Sequence, residues 1–178
     1  GGAYSFAAGR RAKVTHDGSF VWGDSFNGDV SSSAINQFTA RTSGGARFYS
    51  NTGLTTGVTL AAGGGAWAAI SDSTVKENIR PVDGDDILDK ISQLDITRWN
   101  YETQDESIEH IGPMAQDFHR LFGVGDNNTT ITTIDPDGIS LAAIKALIEK
   151  NNELQTSNEE LNKRLDKLER LIEELSNN

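Results

Sequence analysis

The spacing of apolar residues along the chain changes period twice, and the two changes divide it into three parts. The clearest period is the last. Leu147, Leu154, Leu161, Leu168 and Leu175 recur every seven residues, and three residues ahead of each stand Ile144, Asn151, Asn158, Leu165 and Ile172. These are the d and a positions of a heptad, which predicts a long helix over 139–178 whose apolar seam meets other helices. Arg164 and Glu169 occupy a g position and the following e position, which suits parallel chains in register. Asn151 and Asn158 place two polar layers in the seam, lowering stability and fixing register. Ile at a with Leu at d leans towards two strands. The other reading of the same pattern is an amphipathic helix packed on its own domain.

Between residues 71 and 138 the period alternates between helix and strand. Ile87, Leu88, Ile91 and Leu94 fall on one helical face, with Asp85 and Asp86 at the end where the helix dipole favours acids. Residues 95–101 alternate as a strand and residues 108–111 as a second. Gly112-Pro113 opens another helix, which carries Met114, Phe118, Leu121 and Phe122 and stops at Gly123. Residues 130–134 read as a third strand, closed by the turn Asp135-Pro136-Asp137-Gly138. These elements predict a small α+β unit.

Residues 1–70 have short strand-like runs set among glycines. Ser5-Phe6-Ala7-Ala8-Gly9 returns 14 positions later as Ser19-Phe20-Val21-Trp22-Gly23, and Gln37-Phe38-Thr39-Ala40-Arg41 is a looser third copy. A repeat this short matches one coil of a β-solenoid, with apolar residues facing a narrow interior and glycines letting the backbone turn. Residues 46–50 and 57–60 read as further strands. The run Ala61-Ala62-Gly63-Gly64-Gly65-Ala66-Trp67 brings little side-chain bulk to the junction with the next part.

Composition sharpens the division at Ile70-Ser71. Residues 1–70 hold 13 of the 18 glycines and carry 5 Lys+Arg against 3 Asp+Glu, whereas residues 71–178 carry 11 against 23. The net charge of −10 argues against nucleic-acid and anionic-membrane partners. The chain has no cysteine, which excludes disulfides, thiol catalysis and Cys-ligated zinc. No apolar run approaches the ~20 residues of a membrane span. At 36% hydrophobic and 7% aromatic content, 178 residues are thinly supplied for a self-sufficient core, which points to oligomerisation. The opening Gly1-Gly2-Ala3 reads as the interior of something longer.

The junction also carries candidate chemistry. Ser71 offers a hydroxyl, and Lys76, five residues on, an amine able to take its proton. The structural alternative is a capped turn, with Ser71 or Asp72 as the cap or Thr74 and Glu77 as a capping box. No metal cluster, phosphate-binding loop or Ser/His/Asp set is legible, so no metal or cofactor is expected and an enzyme with a diffusible substrate is disfavoured.

The head repeat, over roughly residues 3–30, resembles that of trimeric autotransporter adhesins, in which coils of three chains lie side by side. A closer resemblance runs through Ser71-Asp72, Lys76-Glu77-Asn78-Ile79, residues 91–101, His110-Ile111-Gly112-Pro113-Met114-Ala115-Gln116-Asp117-Phe118 and residues 139–147. This succession resembles the intramolecular-chaperone auto-processing peptidases, the C-terminal domains of endosialidase tail spikes and many phage tail fibres, found also in the myelin regulatory factor.

The resemblance implies a homotrimer that folds the upstream fibre or spike segment of its own chain and then cuts itself free. Ser71 would be the nucleophile at the new N-terminus, Lys76 its general base and His110 a supporting residue, with cleavage between Ile70 and Ser71. Residues 1–70 would be the fibre or head segment, 71–138 the chaperone domain and 139–178 a parallel trimeric coiled coil. The location implied is a virion tail fibre or a bacterial cell surface. The competing function is a trimeric structural or adhesive cap that keeps the fold and never cuts.

Overall fold

The computed structural model describes residues 1–177. It is a mixed α/β architecture of small sheets followed by one long C-terminal helix, and it comprises two compact units, Gly1–Ile79 and Arg80–Asn178.

In the first unit the repeat becomes a stack. Strands β1 (Phe6–Gly9), β3 (Phe20–Gly23) and β5 (Phe38–Arg41) pair in parallel, so that Phe6, Phe20 and Phe38 fall in one register and Gly9, Gly23 and Arg41 in another. The short strands β2 (Ala12–Lys13) and β4 (Val30–Ser31) pair beside them. Close stacking is why glycine ends the first two copies. Gly9 sits at φ +84°, and a Cβ there would lie 1.8 Å from the Gly23 carbonyl oxygen.

The face turned inward is not the one with the aromatic rings. Ser19 and Val21 are fully buried, and Ser19 Oγ donates to the Ala34 carbonyl at 3.0 Å, which satisfies it there. The phenylalanine rings stack 5.1 and 5.0 Å apart along the other face, where Phe6 and Phe38 are 56% and 68% exposed. The narrow space between coils takes Ser, Val and Gly and leaves the bulkier rings outside.

Strands β6 (Ala46–Tyr49), β7 (Gly57–Leu60) and β8 (Trp67–Ala69) form an antiparallel sheet in which Leu60 faces Trp67. Their aromatics join those of the stack around a cleft of about 420 Å³, lined by Phe20, Trp22, Phe38, Phe48 and Trp67 among others.

In the second unit, α1 (Gly84–Ser92) starts at Asp83, whose carboxylate accepts from the N–H groups of Asp85 and Asp86. Strands β9 (Thr97–Trp99) and β10 (His110–Gly112) pair antiparallel, with His110 opposite Trp99. Helix α2 (Ala115–Phe122) ends at Gly123 in the left-handed conformation, φ 63°. Helix α3 (Ile134–Ser176) runs for 43 residues. Helix α1 packs on α3, burying Ile87, Ala143 and Ala146, while Phe118 of α2 is buried with its ring 5.0 Å from that of Phe122.

One expected element is absent. Residues 130–133 form no strand, and Ile134 begins α3, so the Asp135-Pro136-Asp137-Gly138 stretch lies inside the helix and is no turn. Thr129 and Thr130 donate instead to the Asn127 side chain, and the Thr132 hydroxyl donates to Asp135 Oδ2 at 2.8 Å. Pro136 is tolerated because N–H groups in a first helical turn have no partner within the helix. Asp135 and Asp137 suit the positive end of the dipole. No helix among the described residues is long and apolar enough to cross a membrane.

Candidate active site

The chain reaches the Ile70-Ser71 bond from the end of a sheet. Beyond β8, the Ile70 N–H donates to the Gly57 carbonyl at 3.0 Å, so the residue on the acyl side of the bond remains tied to β7. Ser71 is exposed and outside any regular element. A single 3₁₀ turn, Ser73–Val75, follows, with Asp72 as its N-cap and Lys76 as its C-cap.

The turn brings two candidate residues together. Lys76 Nζ donates to Ser71 Oγ at 2.6 Å. In this contact the lysine side chain donates to the hydroxyl. Activation of the serine requires the reverse, a neutral amine accepting the hydroxyl proton. Lys76 is exposed in the single chain.

Asp72 accepts from both the Thr74 N–H and the Thr74 hydroxyl at 2.8 Å. The backbone bond, and then the hydroxyl, hold its carboxyl below the ordinary carboxylate range. The cap expected at this point is therefore Asp72. Beyond Lys76 the chain turns at Asn78, φ 56°, a left-handed position that asparagine tolerates better than most residues.

His110 belongs to the second unit and is half-buried at the start of β10. Its ring lies 4.7 Å from that of Trp99 and 5.6 Å from that of Tyr101. Nε2 is 3.0 Å from Gln104 Oε1, consistent with an Nε2–H donor. Gln104 escaped the sequence reading because it sits in the irregular β9–β10 connection, where no periodicity marks a partner. Trp99 Nε1 is buried without a hydrogen-bond partner among the described residues. Gln116 lines a cleft of about 500 Å³ with Trp99, Tyr101 and Met114, and Asp117 pairs with Arg120 at 3.0 Å.

The heptad residues that fall in α3 are solvent-exposed along the single chain, from Ile144 and Leu147 through Leu154, Leu161, Leu165 and Leu168 to Ile172 and Leu175. Asn151 and Asn158 are exposed in the same row.

The family model described as chaperone of endosialidase, a peptidase family, matches residues 71–123. The match opens on Ser71 and closes on Gly123, the left-handed cap of α2. Residues 139–147 lie beyond it.

Proposed function

We propose that the chain is an intramolecular chaperone that assembles as a homotrimer, folds the fibre or tail-spike segment preceding Ser71, and then releases itself by cutting Ile70-Ser71 in cis. The observation that carries this reading is the 2.6 Å contact between Ser71 Oγ and Lys76 Nζ, at the residue where the family match begins.

In the proposed reaction the neutral Lys76 amine takes the Ser71 hydroxyl proton as Oγ attacks the Ile70 carbonyl carbon. The C–O bond forms, the C–N bond to Ser71 breaks, and the proton passes to the departing amine. Water then hydrolyses the ester, leaving a carboxylate on Ile70 and restoring the serine hydroxyl. The tie from Ile70 to Gly57 supports this sequence by holding the carbonyl side still while the serine moves.

Two features support the trimer. The heptad row of α3 is open to solvent, and on the aromatic side of the parallel stack Phe6 and Phe38 are exposed, as befits coils of a β-solenoid-like head lying beside coils of neighbouring chains. His110 is assigned a supporting role, with Gln104 orienting its ring. The proposed location is a phage tail fibre or a comparable surface fibre.

Mass spectrometry of the purified 19.2 kDa chain tests the reading. Cleavage should yield residues 1–70 and 71–178, and Ser71→Ala should stay whole while assembling normally. An intact wild-type chain in an assembled trimer would instead favour the permanent fibre cap.

A further inference from the structure

We propose that Asp72 is a positioning residue for this self-cleavage, setting the Ser71–Lys76 geometry by capping the turn between them; the inference rests on the Ser71/Lys76 reading above. Ser71 and Lys76 are five residues apart, both exposed, and no helix or strand holds either. Their spacing depends on the intervening 3₁₀ turn.

The backbone bonds of that turn are long. Val75 N–H to the Asp72 carbonyl and Lys76 N–H to the Ser73 carbonyl both measure 3.3 Å, against ~2.9–3.0 Å for ordinary amide bonds. The two short bonds are those from Thr74 to the Asp72 carboxylate, at 2.8 Å each. A charged acceptor gives the stronger kind of hydrogen bond. The carboxylate thus fixes Thr74 at the centre of the turn, and the turn fixes where the lysine begins.

Asp72 does this without joining the chemistry. Both short bonds lead to Thr74, so its influence reaches Ser71 and Lys76 through the backbone alone. Misplacement by ~1 Å of a group that must meet a reacting atom can cost on the order of 100-fold in rate. Replacing a good N-cap with Ala leaves donors unsatisfied, whereas Asn caps about as well as Asp.

The test uses the full chain, following the appearance of residues 71–178 with time and confirming assembly by light scattering. Asp72→Ala should cut ~10- to 100-fold more slowly in an intact assembly, and Asp72→Asn should stay within ~3-fold of wild type. Rescue by Asn is the result that a merely electrostatic or destabilising role does not give. Equal slowing by Ala and Asn would overturn the cap and point to a need for the charge. A wild-type rate in Asp72→Ala would overturn the inference while leaving the Ser71/Lys76 reading intact. If Asp72→Ala fails to assemble, Thr74→Val decides, because it removes only the hydroxyl donor: slower cutting supports the cap, and an unchanged rate rejects it. Cleavage that persists in Ser71→Ala, or an assembled wild type that never cuts, would remove the underlying reading and this inference with it.

Discussion

At the residue scale, a polar cluster of the first unit is built on one carboxylate. Asp24 accepts from the Ser43 hydroxyl at 2.5 Å and the Ser43 N–H at 2.8 Å, then from Arg41 Nε at 2.8 Å and the Phe26 N–H at 3.2 Å. These bonds, led by the Ser43 hydroxyl, hold its carboxyl far below the usual carboxylate range. Arg41 also donates to the carbonyls of Gly28, Phe26 and Arg10, which ties the third copy of the repeat back to the first two. Because the folded pKa is depressed, the stabilisation is fully present above the unfolded carboxyl pKa of ~3.9 and is lost as pH falls from there towards the folded value. Thermal melts of wild type and Asp24→Asn should therefore differ by a constant amount above pH ~5 and converge below pH ~4. A difference equally large at pH 3 and pH 7 would mean that the charge contributes nothing. In the sequence Arg41 stands only as the last residue of the looser third copy, because a clamp spanning 31 positions, from Arg41 to Arg10, leaves no local pattern.

At the scale of elements, α1 and α3 touch where both are narrowest. A Cβ built on Gly84 would lie 2.7 Å from the Ala146 Cβ, and neither a backbone-bound methyl nor its helix can move aside cheaply. Gly84→Val should destabilise the second unit by about 1–3 kcal/mol in urea unfolding, and adding Ala146→Gly should recover part of the loss. Additive effects of the two changes would show that the helices do not meet there. Elements with a local cause were legible in advance. The α1 period, its acidic start, the Gly123 stop and strands β6 and β7 follow from side-chain spacing and backbone preference within a few residues. The 130–134 stretch misled because β-branched residues mark a strand only when another strand is there to pair. Here Asn127 and the opening of α3 take up their polar groups instead. The inward face of the head was not legible for a related reason, since apolar alternation does not say which side a stacked neighbour leaves room for. At the candidate site, spacing offered the Ser71–Lys76 pair and a capped turn as alternatives, and the structure contains both the contact and the Asp72 cap, whereas Gln104 left no signal in the sequence.

At the scale of the whole molecule, the proposed reaction makes a demand that the isolated chain does not meet. A lysine in water has a pKa of ~10.4, so only about 0.04% of such a side chain is the neutral amine at pH 7. Desolvation lowers a lysine pKa by up to about 3–5 units, which turns a negligible base into a competent one. In the single chain both Ser71 and Lys76 are exposed, and the hydrogen bond between them runs from the lysine side chain to the hydroxyl. In the proposed mechanism the missing burial comes from other copies of the chain. Association through the open heptad row of α3 is the step proposed to bring them together, and light scattering on the uncut Ser71→Ala chain should then give three times 19.2 kDa. The coupling is tested by placing Leu154→Asp and Leu161→Asp together in the seam, which sets like charges against each other in successive layers and should leave monomers. Those monomers should cut far more slowly than wild type, although Ser71, Asp72 and Lys76 are untouched. A monomeric variant that cuts at the wild-type rate at pH 7 would place the activation of Lys76 within one chain and separate cleavage from assembly.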